Sequence, residues 1–343
     1  MVTNLTLHDC NAFLRRQHSP YRHAVHFSVF LLGLLTAAVF AAFSGSAQAE
    51  PRHSADRVSE VPANGYLVEE INEGLYWVTD GVYQTMFLTT GKGVIVVDAP
   101  PTIGANLLKA IVEVTDEPIT HLIYSHSHRD HIGAAGLFPE GITIIAHEET
   151  AMQLARAFVE DLPPPTVTFA DRYSLAMGNQ VLELEYRGPH HEPGNIYVYA
   201  PRQKVLLLID VIFPGWVPFK NLALAEDVPG YIQAHDEVLS YDFKTFIGGH
   251  VNRLGKRKDV KMARQYINEV RSNAAEALAT VDIGAIAEIV GTDNPWLLFD
   301  TWMDAVAQSC ERLTLATWRH RLKGVEVFTE DHCWVMAQSL RID

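Results

Sequence analysis

The 343-residue sequence predicts an α/β fold in which two β-sheets pack face to face with helices on their outer sides. Three observations carry this. Between Tyr66 and His250, short apolar strand-like segments alternate with helically spaced ones in both halves. Turn signals separate them, among them Gly81, Gly91-Lys92-Gly93 and Pro163-Pro164-Pro165. From Lys256 onward the spacing is helical. With 48% apolar residues the chain can fill such a core, which excludes a disordered protein.

Residues 1–49 stand apart from the fold. Arg15, Arg16 and Arg22 precede the uncharged, mostly apolar run Phe27–Phe43, and Ala47 and Ala49 fit the small-residue rule for a signal-peptide cut before Glu50. The run also sits at the lower limit for a membrane span, so an uncleaved anchor is the alternative. Cleavage places the protein in the periplasm or outside the cell. Cys10 leaves with the leader, and Cys310 and Cys333 remain, free to pair in an oxidising compartment or to stay separate buried thiols.

Residues 50–255 hold the two sheets, after a polar start. Leu75–Thr79, Met86–Thr90 and Val94–Asp98 read as a meander. Ile103–Thr115 is a helix with Leu107, Leu108, Ile111 and Val112 on one side. Ile119–Tyr124 is an apolar strand, followed by a short helix, strand Ile142–Ala146 and helix Glu148–Glu160. Strands recur near Thr166–Phe169, Val181–Tyr186, Ile196–Ala200 and Val205–Ile209. A helix starts near Val228-Pro229 and runs to Leu239, and Phe243–Ile247 is a strand. Residues 256–343 are mainly helical, with one helix from Lys256 to about Thr280 and another from about Trp296 to Arg321.

Strand Ile119–Tyr124 runs into Ser125-His126-Ser127-His128-Arg129-Asp130-His131, four metal-capable side chains within six residues. Four such groups so close together do not converge easily on one tetrahedral ion. His126 and His128 point the same way in an extended turn, and Asp130 and His131 serve a second ion. Imidazole nitrogen with carboxylate oxygen suits zinc, and two ions about 3.5–4 Å apart are a known catalytic arrangement. Further ligands stand at strand ends: the turn Gly188-Pro189-His190-His191-Glu192-Pro193-Gly194-Asn195, then Asp210, then His250 after Gly248-Gly249. Asp98, which closes a strand, reads as an organiser of loops. His121 and His147 read as structural, and His235 as lying on the polar side of its helix.

This ordered set, from about Gly65 to Arg257, resembles the metallo-β-lactamase fold superfamily. The resemblance implies an αββα sandwich of two mixed β-sheets flanked by helices, here with a helical C-terminal extension, and a two-metal site at one edge. It implies that His126, His128 and His191 hold one ion, that Asp130, His131 and His250 hold the other, and that Asp210 bridges both. His191 rather than His190 is the implied ligand, because it stands two residues before Pro193-Gly194. His190 is left as a supporting or substrate-pocket group.

The expected cofactors are two zinc ions per chain, with manganese or iron as possible occupants. Two divalent ions acidify a shared water, so hydrolysis is the expected reaction, with Asp130 and Asp210 at the reacting centre. The resemblance, through its bridging Asp at position 210, together with the apolar loop Ile212–Phe219, implies an ester or lactone-type acyl bond. Within the superfamily, Asp210 stands where true β-lactamases usually have Cys or Ser, which makes β-lactam hydrolysis the alternative activity. A non-catalytic metal- or ligand-binding periplasmic protein is the alternative of another class. The apolar loop Ile212–Phe219 puts Phe213, Trp216 and Phe219 forward as pocket residues for a small, rather apolar substrate. Helix residues Trp296, Phe299, Trp302 and Met303 are expected to pack on the sandwich, with a lid as their other use. The net charge of −14, without Lys/Arg clustering, excludes a nucleic-acid partner. The expected partner is a small-molecule substrate, with membrane contact only through an uncleaved leader and the oligomeric state left open.

Overall fold

The computed structural model describes residues 59–157 and 161–342, all within one compact unit spanning residues 52–343. The leader expected at residues 1–49 lies outside the described residues. Among those described, no helix is long and apolar enough to cross a membrane.

The first sheet keeps chain order in space: β1 (Leu67–Asn72), β2 (Leu75–Thr79), β3 (Gln84–Thr89), β4 (Val94–Val97), β5 (Ile119–Ile123), β6 (Thr143–His147) and β7 (Val167–Phe169). β1 to β4 pair antiparallel and β4 to β7 parallel. Parallel neighbours need crossovers, and these carry α1 (Ala105–Val114), α2 (Arg129–Ile132) and α3 (Glu148–Ala157). The second sheet contains β8 (Arg172–Met177), β9 (Gln180–Glu185), β10 (Tyr197–Ala200), β11 (Val205–Leu207) and β12 (Thr245–Ile247), in spatial order β12-β11-β10-β9-β8. Between β11 and β12 lie α4 (Lys220–Leu224), a single irregular turn, and α5 (Val228–Ser240). The extension comprises α6 (Arg257–Thr280), α7 (Ile283–Val290), α8 (Pro295–Trp318) and α9 (Val325–Ile342).

Period-two alternation sorts the side chains into three cores. On β4, Ile95 and Val97 face the second sheet while Val94 and Val96 face α1. On β10 and β11, Val198, Ala200, Val205 and Leu207 face the first sheet, while Tyr197 and Leu206 face the helices. The layers are therefore helix, sheet, sheet, helix, as expected. The outer layer on the second sheet includes the extension: Tyr266, Met303, Val306, Trp318 and Met336 share one core with Tyr197, Leu206 and Leu208. Cys310 and Cys333 form a disulfide that ties α8 to α9.

The differences from expectation have local causes. β8 is an edge strand with Leu175 alone buried, so its sequence carries little alternation. His235 is buried rather than on a polar side. It sits one turn after Tyr231 on the face of α5 that packs inward, with Nδ1 2.9 Å from the Tyr231 carbonyl oxygen. α4 is the least expected element. Asn221, Leu222, Ala223 and Leu224 all have positive φ, between 54° and 58°, a left-handed turn that side chains resist by roughly 1–2 kcal/mol per residue. Leu222 and Ala223 are fully buried and the turn packs against α9, which offsets that cost. Beside it, the His332 ring of α9 joins Nδ1 to the Tyr266 hydroxyl (2.8 Å) and Nε2 to the Phe219 carbonyl oxygen (3.1 Å). The extension thereby clamps the loop that leads from Asp210 to α5.

Candidate metal centre

Every element that supplies a candidate ligand ends at the same edge of the sandwich. The chain leaves β5 through Ser125, whose backbone N–H donates to Asp98 Oδ1 at 2.7 Å. Asp98 thus organises this loop, and burial pushes its carboxyl up to about 6. His126 follows at once, His128 stands at the N-cap of α2, and His131 lies on that helix. His191 comes from the β9–β10 turn and Asp210 from the end of β11, with a φ of 62°. Strained backbone of this kind is often kept at functional sites. His250 follows Gly249, whose φ is +87°. A Cβ there would meet Ile209 Cγ2 at 2.8 Å and His131 Cε1 at 3.1 Å, so only glycine lets this loop close on the site.

The side chains fall into two groups, His126, His128, His191 and Asp210, and Asp130, His131, Asp210 and His250. In each group the ligating atoms lie within 4.8 Å of one another. Asp210 joins the groups. Its Oδ2 lies 3.6 Å from His126 Nε2, 3.1 Å from His131 Nε2 and 3.4 Å from His191 Nε2, and its Oδ1 lies 3.0 Å from His250 Nε2. Asp130 Oδ2 lies 3.5 Å from His131 Nε2 and 3.8 Å from His250 Nε2.

The donor set fits two cations. His126 Nε2 is buried with no hydrogen-bond partner, an uncompensated cost that a cation would remove. His191 Nε2 and His128 Nδ1 face each other at 3.0 Å, and His131 Nε2 and His250 Nε2 at 3.1 Å. Paired imidazole nitrogens with one carboxylate among them are the donors that divalent transition metals take. Burial holds His126 well below its usual range and His191 down to about 4, so both present neutral imidazoles. His131 differs. Burial opposes its charge, but the Asp210, Asp98 and Asp130 carboxylates together outweigh burial and push it up to about 9.

The first group is braced from behind. Ser125 Oγ lies 2.8 Å from His126 Nδ1. Glu192, fully buried, lies with Oε2 3.2 Å from His128 Nε2. It accepts the Ser127 backbone N–H (2.6 Å) and hydroxyl (3.1 Å), which turns His128 Nδ1 toward the site. The second group is more open. Tyr83 donates its hydroxyl to Asp130 Oδ2 at 3.1 Å, and its ring packs 4.5 Å from that of His250. Gln84, held by Trp77 Nε1 at 2.8 Å, donates to the His250 and Val251 carbonyl oxygens and so fixes the His250 loop. Tyr83 and Gln84 were not anticipated, because nothing near them in sequence points to a site.

Of the proposed pocket residues, Phe213 and Phe219 lie against His250, with ring centroids 5.8 and 5.9 Å away. Trp216 does not join them. It pairs with Lys323 of the extension through its backbone, and its ring stands 5.3 Å from the Lys323 ammonium. His190 is buried edge-on against Tyr197, 5.7 Å between centroids, and so turns into the helix side of the second sheet. His121 pairs with Thr120, and His147 packs on Phe169 and Tyr186, so neither reaches the cluster. Trp302 and Met303 pack within the extension rather than over the site.

A family model described as the metallo-beta-lactamase superfamily matches residues 78–250, and the chain belongs to that superfamily, whose members are in the main metal-dependent hydrolases. It is 30% identical over 258 residues, 72% of this chain and 78% of the other, to the 2,4-dinitroanisole O-demethylase subunit alpha of Nocardioides sp. (strain JS1661). It is 22% identical over 229 residues, 64% of this chain and 69% of the other, to the subunit beta from the same organism. Among solved structures, a metallo-beta-lactamase from Pontibacter korlensis shares the fold with a TM-score of 0.51 and 22% identity, 58% of this chain covering 97% of that one.

Proposed function

We propose that the protein is an exported hydrolase with two divalent ions, zinc foremost, that cleaves the ester or lactone-type acyl bond of a small, rather apolar substrate. In this reading His126, His128 and His191 hold one ion, Asp130, His131 and His250 the other, and Asp210 both. The observation that carries it is the Asp210 carboxylate, within 3.6 Å of four imidazole nitrogens drawn from both groups. Two ions, when bound, would acidify a water and polarise the bond under attack. The chain's own groups do the rest. Asp130, on the open side, orients the attacking water. The Tyr83 hydroxyl, kept protonated by burial and the nearby Asp130 charge, orients that carboxylate. Phe213 and Phe219 form an apolar wall beside His250 and exclude water from one side of the substrate. The disulfide supports export, since such bonds persist in oxidising compartments.

One observation favours a second substrate class. The 30%-identical relative is named for removing the methyl group of 2,4-dinitroanisole. The same site suits an electron-poor aryl ether, in which the attacked centre is an activated carbon and an alkoxide leaves. We also infer, from the similarity to both subunits of that enzyme, that this chain works in an assembly of like chains.

The test is metal content and turnover on one preparation. The panel holds an acyl-lactone, an aryl ester, a chromogenic β-lactam and 2,4-dinitroanisole. Two metals per chain with lactone or ester turnover is the expected result. Turnover of 2,4-dinitroanisole alone moves the assignment to aryl ethers, and turnover of the β-lactam alone moves it to β-lactams. A metal-loaded protein that turns over none of them overturns the reading.

A further inference from the structure

The extension carries a feature that a lone molecule does not account for. α7 is eight residues long, its sequence Ile283-Gly-Ala-Ile-Ala-Glu-Ile-Val290 is almost wholly apolar, and none of its residues is buried. Such a short helix is unstable by itself in water. Yet it is well formed, with the Asp282 carboxylate accepting the Gly284 N–H at its start. Its main neighbour is α8, whose own first turns also face outward. Ile289 is 80% exposed and Trp296 82%, with Leu297, Ile283 and Phe299 also exposed. Together these five side chains expose on the order of 600 Å² of apolar surface, with the Arg341 guanidinium of α9 4.9 Å from the Phe299 ring at its edge.

Charge narrows the occupant. Residues 281–301 contain Asp282, Glu288, Asp293 and Asp300 and no lysine or arginine. An anionic membrane surface or a polyanion is repelled by such a rim. A second copy carries the same rim, so its approach rests on apolar contact that outweighs the like-charge repulsion, which salt screens.

We propose that the α7–α8 hairpin is the contact surface for a second copy of this chain, hairpin against hairpin. The proposal rests on the reading above that the chain works among like chains. Two such patches would bury on the order of 1,200 Å², the lower bound of a specific interface. The hairpin lies outside the family domain at residues 78–250. A lactamase neighbour is 97% covered by 58% of this chain, so the helical extension has no counterpart of comparable length there.

The experiment is light scattering and sedimentation of the metal-loaded full chain from about 1 to 100 µM. It compares wild type, Ile289→Glu, Trp296→Glu and, as a control at an exposed apolar position elsewhere, Val112→Glu on α1. Wild type and the control are expected to be dimeric. Each hairpin variant should raise the dimer dissociation constant at least tenfold, with an unchanged circular-dichroism spectrum showing that the chain still folds. Raising salt should tighten the wild-type dimer by screening the acidic rims. If wild type is monomeric throughout, the assembly reading itself is overturned. If all variants stay dimeric, the chain assembles but not through this hairpin. Pelleting of monomeric wild type with phosphatidylcholine vesicles, lost in Ile289→Glu, would overturn the proposal in favour of a neutral lipid surface.

Discussion

The two ligand groups share Asp210 and little else. The group of His126, His128 and His191 is the more enclosed, with His128 alone partly exposed. His126 and His191 are fully buried, and His128 is held from behind by a buried carboxylate. The group of Asp130, His131 and His250 opens outward, with Asp130 and His250 partly exposed beside Tyr83, Phe213 and Phe219. The contrast divides the labour. With ions bound as proposed, the more enclosed, braced set would hold its ion, and the open set with apolar neighbours would be where a substrate approaches.

Removing what the groups share should have the largest effect. Asp210→Asn is expected to lose both ions and to reduce hydrolysis to the background rate, read by metal analysis and by initial rates. One retained ion with partial activity would show that the groups are independent and that Asp210 does not bridge them. Next comes the brace. Glu192→Gln should weaken the first ion about 10- to 100-fold in competition with a chromogenic chelator and leave the second unchanged. Equal weakening of both would remove the asymmetry. On the open side, Tyr83→Phe should keep both ions and lower kcat about tenfold, the loss of one hydrogen bond to a charged group. A changed metal content with unchanged kcat would make Tyr83 a support of His250 instead.

The smallest effect concerns stability and the wall of the open side. His332 supports Phe219 while buried and neutral, its pKa pushed down by burial to about 4. An unfolded histidine takes up a proton near 6.5, so between pH 6.5 and 4 the unfolded state binds a proton that the folded state refuses. Stability is full above 6.5 and falls as pH drops toward 4, by about 3 kcal/mol in all. Melting temperature against pH should therefore fall less steeply for His332→Gln than for wild type. Parallel curves would show that His332 is not the titrating group.

Much of the site was readable because the His126–His131 run concentrates four of its members, and the other three stand in order at strand ends. The supporting residues were less so. Glu192 stands openly in the turn after His191, but its role is a distance to His128, which no local pattern states. Tyr83 and Gln84 arrive from a strand over 40 residues upstream, joined to the site by pairing between β3 and the His250 loop. Trp216 was misplaced because an aromatic loop next to a ligand looks like a pocket until its neighbour, the α8–α9 connection, is known. His235 was misread because helical spacing alone does not say which side of α5 meets the extension. The two sheets were largely legible from alternation, and β8 was not because an edge strand has a single buried position.

The left-handed turn at α4 has a consequence for how the protein comes to work. A turn that resists its own conformation has no reason to form early, and it acquires one only when α9 lies over it. During synthesis α9 leaves the ribosome after every proposed ligand has emerged. A chain cut between His250 and Val325, or nicked before α9, would carry every proposed ligand yet leave the Phe219 loop without its His332 support. The wall beside His250 is thus completed by the last helix of the chain rather than by the strands that carry the ligands.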